Sequence, residues 1–420
     1  MPLIQTDEGK ERVFLVYVNP DEEEDQYVEE ELKGLCESAG AISVGSLRQR
    51  LDRPSASTYI GKGKVQELLA AIHDTKADVA LFDCELNGVQ LRNLTEALNR
   101  KVIDRTQLIL DIFAQRARTK EGQLQVELAQ LSYMMPRLMS IYTKFERQKG
   151  GLGLRGPGET KLESDRRTVK DKIAHLKVQI DEIQRFRGRQ RAMRRKHPFP
   201  FATLVGYTSA GKSTLMNRLS GTVLLADQML FSTLDPTTRK VDLPQGYSLF
   251  LTDTVGFIRN LPTHLIAAFR ATLEEVTSAD FILHLIDVSH PYWDIQRDAV
   301  YETLEELKAQ DIPCLTVFNK IDQLDEHVDL KALLQEWPNS VAISAKTGEG
   351  IDFLMEAIVQ MVKQQLSFVK ALIPYAATSL LDECYQYGRV YKVDHTDQGI
   401  YIEAEVVAEM QTKLLSYKVE

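Results

Sequence analysis

The stretch Gly206-Tyr207-Thr208-Ser209-Ala210-Gly211-Lys212-Ser213 sets two glycines five positions apart and follows the second with a lysine and a hydroxyl. These are the residue types that hold a row of phosphates. Glycines let backbone N–H groups wrap anionic oxygens, and the helix that such a loop opens adds its positive end. The Lys212 ammonium can neutralise the β- and γ-phosphates, and the Ser213 hydroxyl can ligate Mg²⁺. The run "FATLV" before the loop reads as a strand and the residues after it as a helix, the context that the motif needs.

Three further stretches follow in the order that a guanine-nucleotide site demands. Asp253 ends the strand "SLFLTD" and continues into Thr254, Val255 and Gly256. An aspartate at a strand end can reach Mg²⁺, and the Gly256 N–H can meet a γ-phosphate. That contact exists only with a triphosphate, so it can act as a switch. Asn319, Lys320, Ile321 and Asp322 lie at the end of a later strand. The Asp322 carboxylate can accept from N1–H and the 2-amino group of guanine; adenine lacks that pattern and would leave a buried Asp322 unpaired. Asn319 and Lys320 can brace the loops and cover the base. Ser344, Ala345 and Lys346 supply a further base contact through backbone. The set specifies GTP over ATP, with Lys212, Asp253 and Gly256 as catalytic candidates. Between Ser213 and Asp253, the stretch "FSTLDPTTRK" (231–240) must supply a threonine that closes over Mg²⁺ and the γ-phosphate. On chemistry alone Thr233, Thr237 and Thr238 all qualify.

Phe257 breaks the pattern, because the best-known GTPases carry a water-orienting glutamine there. Electrostatics and Mg²⁺ carry much of phosphoryl transfer, so the site is not dead. What is missing is water positioning by the protein's own side chain. The sequence therefore predicts slow turnover alone, with the water placed by backbone or by a docked partner. His264, just past this stretch, is read as a surface or packing histidine.

The elements that position these loops follow from periodicity. From Phe201 to about Val362, near-continuous apolar runs ("FILHLIDV", "PCLTVFN", "SVAIS") predict strands buried on both faces of a mostly parallel sheet. Residues 12–103 alternate strands ("RVFLVYV", "DVALFD", "KVID") with helices ("VQELLAAIHD", "VQLRNLTEALN"), a second α/β unit. Between them the period changes. Leu124, Leu128, Leu131, Met135 and Leu138, then Val169, Ile173, Leu176, Ile180 and Ile183, repeat at heptad spacing. They predict an antiparallel helical hairpin, kinked at Pro136, around the Gly-rich loop 148–163. The hairpin ends in "RFRGRQRAMRRKH" (185–197), a basic run compatible with phosphate contact. The tail alternates as a hairpin around "TDQ". The expected division is 1–110, an N-terminal α/β domain; 111–197, the helical hairpin; 198–365, a P-loop GTPase domain; and 366–420, a small α+β module.

Composition narrows the class. The net charge of −9 over 420 residues excludes a general polyanion binder, so any nucleic-acid contact must be local. Cys36, Cys84, Cys314 and Cys384 have no zinc or redox spacing, as expected of a reducing cytosol. No signal peptide and no membrane-spanning run are expected.

Beyond the generic set, "GGLGLRGPGETKLE", "FSTLDPTTR", "DTVGFIRNLP", "AFRATLEE" and "DVSHP" resemble stretches of the HflX family, ribosome-associated GTPases of the Obg–HflX group. The resemblance implies a factor that binds the large ribosomal subunit through its N-terminal domain and hairpin, splitting stalled ribosomes under stress or assisting biogenesis. It implies Mg²⁺, a cytoplasmic location and rRNA contacts for 148–163 and 185–197. Aligning on "FSTLDP" makes Thr233 the Mg²⁺-binding switch threonine beside Ser213, with Phe231, Ser232, Leu234 and Asp235 around the nucleotide. An apolar residue at 257 is the family's pattern. Two positions depart from it. Ser209 stands where asparagine is usual, a residue that helps hold a monovalent cation in related GTPases, and its shorter reach argues against carrying potassium stimulation over. Lys161 stands where glutamine is usual. Two other readings compete: a nucleotide-gated RNA-binding protein with negligible turnover, and an ATP-driven RNA remodeller, for which the N-terminal region offers only "GKGK" (61–64). A monomer is expected because the heptads can pair within the chain.

Overall fold

The computed structural model describes residues 10–18, 25–51, 53–147, 157–194, 199–221, 230–231, 234–259, 262, 265, 270–324 and 329–419. They fold as two units: residues 1–183 with 228–234 and 261–270, and residues 184–227 with 235–260 and 271–420.

The first unit is built on a four-stranded, all-parallel sheet in the order β2-β1-β3-β4. Its strands are β1 (Arg12–Val18), β2 (Ile42–Gln49), β3 (Val79–Phe82) and β4 (Lys101–Asp104). Helices α1 (Asp25–Ser38), α2 (Lys62–Thr75), α3 (Gly88–Leu98) and α4 (Arg105–Arg116) connect and follow them. Phe14, Leu68, Ile72, Phe82 and Leu94 form its core. Strand β2 and helix α4 add to the elements expected from periodicity. Strand β2 has mixed polarity because it is an edge strand with only Leu47 fully buried.

Helices α5 (Lys120–Arg147) and α6 (Pro157–Arg194) supply the heptads. Leu124, Leu128 and Leu131 pack with Leu176, Ile180 and Ile183, which is the expected seam. Pro136 lies inside the continuous helix α5. Residues 157–163 of the expected Gly-rich loop are helical instead. Helix α6 starts at Pro157, since proline's fixed φ and missing N–H suit a first turn. Residues 148–156 and 195–197 lie outside the described residues, as do the side chains of Lys161 and of 187–194.

The second unit contains a six-stranded sheet in the order β10-β9-β8-β5-β7-β6. Strands β5 (Phe201–Gly206), β7 (Ser248–Asp253), β8 (Phe281–Asp287), β9 (Cys314–Asn319) and β10 (Ser340–Ala342) are parallel, and β6 (Thr237–Asp242) is antiparallel to β7. Leu204, Leu251, Leu283, Leu285 and Val317 fill its core. A three-stranded antiparallel sheet, β11-β13-β12, completes the unit, with β12 (Gly388–Thr396) and β13 (Gly399–Val407) forming the expected hairpin and β11 (Leu366–Ile373) flanking it. Tyr247, at the tip of the β6–β7 hairpin, donates to Glu405 and lies under the Arg389 guanidinium. Among the described residues, no helix is long and apolar enough to cross a membrane.

Candidate functional site

The carboxyl ends of β5, β7 and β9 bring the motif residues together, as expected for a parallel sheet that carries its site at that edge. Helix α7 (Lys212–Ser220) begins directly after the glycine loop. Gly211 has φ 98°, and a Cβ there would fall 2.3 Å from Asn319 Nδ2, so both backbone and space require glycine. Ser209 also takes a positive φ, 64°, a conformation that asparagine adopts more readily than serine.

Lys212 is buried, and its ammonium donates to the carbonyls of Gly206 (3.0 Å) and Tyr207 (2.9 Å). Burial pulls its pKa down to about 8, against the opposing pull of Asp253. The Ser213 hydroxyl donates to Asp253 Oδ2 at 2.8 Å. Thr254 donates to the Leu204 carbonyl at 2.6 Å, which fixes the start of the segment after β7, and Val255 is buried. Gly256 lies against the P-loop: a Cβ there would stand 2.8 Å from Thr208 Cγ2 and 3.1 Å from Lys212 Nζ. Phe257 is 1% exposed, so its side chain packs inward.

The residues expected on the base side gather around one amide. Asn319 Nδ2 donates to the Ala210 carbonyl at 2.7 Å, and its Oδ1 accepts the Ala345 N–H at 2.9 Å. Lys320 pairs with Asp287 at 2.5 Å. Asp322 is exposed in a short 3₁₀ turn, while Ile321 packs with Phe318 and Trp337. Ser344 is buried and accepts the Thr347 N–H, and Lys346 is exposed.

Several participants carry no motif. Arg218, near the end of α7, donates to the carbonyls of Ala345 (2.7 Å) and Lys346 (2.6 Å) and so clamps the loop that follows β10. Asp287 holds Lys320 and also accepts from Ser289. His284, on the central strand β8, is fully buried with no hydrogen-bond partner at either ring nitrogen. Burial, with Lys212 and Arg297 nearby, drives its pKa down to about 3. A histidine inside an apolar strand run gives no sequence signal of that environment.

Phe231 is buried in the first unit, edge-on to Phe113 at 4.7 Å, and the neighbouring Leu230 N–H donates to Ser38 at 3.0 Å. Leu234 is buried in the same unit, and Asp235 belongs to the second. Thr237 and Thr238 lie in β6, where Thr238 bonds Thr252 at 2.9 Å. Ser232, Thr233 and His264 lie outside the described residues. Gly61 caps α2, and Lys64 pairs with Glu67, so "GKGK" forms an ordinary helix start.

The arrangement can seat phosphates on a buried amine and a helix N-terminus, with a base between the loops at 319–322 and 344–346. Family models match four successive stretches of the chain. Residues 26–114 match the model for the GTP-binding GTPase N-terminal domain, 116–194 the GTP-binding GTPase middle region, 201–320 the 50S ribosome-binding GTPase, and 329–419 the HflX C-terminal domain. GTPase HflX of Lacrimispora saccharolytica is 46% identical over 413 residues, covering 98% of this chain and 97% of the relative. GTPase HflX of Caldanaerobacter subterraneus subsp. tengcongensis is 43% identical over 409 residues (97% and 94%), and that of Escherichia coli strain K12 41% over 385 residues (91% and 90%). Similarity of that depth extends through the helical hairpin and the C-terminal sheet as well as the nucleotide loops, and the chain belongs to the HflX family of GTPases, which bind and hydrolyse GTP.

Proposed function

We propose that this GTPase couples GTP hydrolysis to its stay on the large ribosomal subunit, in rescue or splitting of stalled ribosomes or in subunit biogenesis. Lys212 holds the β- and γ-phosphates. Asp253 and Ser213 set the cation position, Gly256 senses the γ-phosphate, and Thr233 closes the site. Asn319, Asp322 and the 344–346 loop read guanine. The buried Ser213–Asp253 pair offers the hard oxygens that Mg²⁺ prefers, which fits that ion. Mg²⁺ bound there would offset the charge that develops on the β–γ bridge.

The observation that carries the ribosome-dependent reading is the burial of Phe257. Lys212, Ser213, Asp253 and Gly256 gather at the P-loop, while the side chain at the position that could orient water is buried. A docked partner then supplies water positioning. The match of residues 201–320 to a family described as 50S ribosome-binding supports the large subunit as that partner. The basic run 185–197 and the stretch 148–163 serve as rRNA contacts in this reading, and the protein acts as a cytoplasmic monomer.

The test is steady-state GTP turnover with and without purified large subunits, repeated in sodium and potassium. Stimulation of at least about a hundredfold is expected, within the range that partners supply to GTPases. Equal rates with and without subunits would overturn the reading. Potassium should add little, given Ser209.

A further inference from the structure

The chain past Asp253 leaves β7 and fastens at once to the P-loop. The Phe257 N–H donates to the Gly206 carbonyl at 3.1 Å, and the Thr208 N–H donates to the Phe257 carbonyl at 2.8 Å. Tyr207 and Phe257 thus form a parallel bridge beyond the end of the β5–β7 ladder. A third tie comes from a side chain: the Arg259 N–H donates to the Tyr207 hydroxyl at 2.9 Å. The tyrosine is buried and the bond to Arg259 is partly buried.

This register lays Gly256 over the Lys212 amine, with a Cβ position only 3.1 Å from Nζ. That is the space into which a γ-phosphate must come if Lys212 and the Gly256 N–H are both to reach it. A diphosphate makes no such demand. A triphosphate therefore has to lift the segment off the P-loop, and all three ties resist it.

We propose that the Tyr207 hydroxyl is a latch that holds residues 257–259 on the P-loop until a γ-phosphate displaces them, making Tyr207 a positioning residue that sets the preference between GTP and GDP. The proposal rests on the nucleotide-site reading above. Two of the three ties join backbone to backbone and exist whatever the side chains. The tyrosine tie alone hangs on a single side-chain oxygen, and Tyr207→Phe removes that oxygen while keeping the ring.

The experiment measures equilibrium binding of fluorescent GDP and of a fluorescent non-hydrolysable GTP analogue to the full-length protein and to Tyr207→Phe. A hydrogen bond of ordinary net strength predicts a rise of about three- to tenfold in the ratio of analogue to GDP affinity. An unchanged ratio overturns the latch. A lowered ratio also overturns it and assigns the hydroxyl to the triphosphate-bound arrangement. Amide hydrogen exchange on the wild-type protein gives a second readout that needs no variant. The Arg259 amide should exchange slowly in the free and GDP-bound protein and faster with the analogue; equal protection in all three states overturns the proposal. Failure of the wild-type protein to bind either nucleotide would instead defeat the nucleotide-site reading.

Discussion

Two sheets in this molecule, one parallel and one mostly parallel, carry charge at the carboxyl ends of their parallel strands, and they use it in opposite ways. In the N-terminal sheet, Arg105 bonds Asp83 at 2.6 Å and Glu31 at 2.5 Å, with all three side chains almost wholly buried. Arg137 joins Asp104 and Glu85, each at 3.2 Å, and the Leu86 carbonyl at 2.7 Å. Cations there meet anions supplied by the fold. In the GTPase sheet, buried Lys212 donates to two neutral carbonyls, and burial weakens its hold on its proton. Asp253 acts on this cation only through space, and a phosphate can provide the direct ionic partner that the carbonyl dipoles do not. The same architecture gives a closed ionic edge in one place and a ligand edge in the other, according to whether the charges are already paired.

The sharpest way to break this contrast is to remove one cation from each edge. Lys212→Ala should weaken GTP binding by roughly 10³-fold, as expected for loss of charge-assisted bonds to phosphate, and should leave the protein folded. Arg105→Met should do the reverse: the N-terminal unit should lose about 3–5 kcal/mol in chemical denaturation because two carboxylates stay buried without their partner, while GTP affinity is retained. If the two variants gave the same phenotype, the contrast would fail. Phe257→Gln should cost about 2–4 kcal/mol of stability by putting an amide into a core position, with no gain in solution GTP turnover. A large gain in rate would sink the view that this position is structural.

Acid–base measurements probe the contrast more finely. The folded pKa of Lys212, about 8, lies below that of an ordinary lysine, so the ligand-free protein loses this proton as pH rises through 8. Bound phosphate favours the charged form. Nucleotide binding should therefore take up a proton above pH 8, and affinity should fall by up to about tenfold per pH unit there. Isothermal titration in buffers of different ionisation enthalpy detects that uptake. The smallest effect concerns His284. Its folded pKa, about 3, is depressed, so the fold loses stability as pH falls from 6.5 toward 3, where the unfolded chain takes up a proton that the buried ring does not. His284→Leu removes a buried ring without hydrogen-bond partners and should raise stability at neutral pH by about 1 kcal/mol in urea unfolding.

The loops proposed to hold the nucleotide stand out in the sequence because backbone geometry restricts residue type at fixed spacing. Gly211 cannot be anything larger beside Asn319, and the strand ends at Asp253 and Asn319 follow from apolar runs. The heptad seam was legible for the same reason, since one period fixes one face. Other features had no local code. Arg218 reaches a loop 127 and 128 residues away, a distance that only folding closes. Strand β6, "TTRKVD", is a polar edge strand and reads as loop. The stretch from Phe231 is assigned to the nucleotide by family likeness alone, and the packing of Phe231 on Phe113 has no local signal in the sequence.

Asn319 has one more consequence. Its amide fixes the phosphate loop to the base loop through bonds of 2.7 and 2.9 Å to opposite sides. The spacing between the two halves of the site is settled when the domain folds, before any ligand arrives. In the proposed site this makes a calliper set to one length. A whole nucleotide spans both jaws without any loop having to be arranged for it, whereas a nucleoside or a pyrophosphate engages only one. Joined, the fragments should bind far better than their separate affinities suggest, because the protein has already fixed the distance between them.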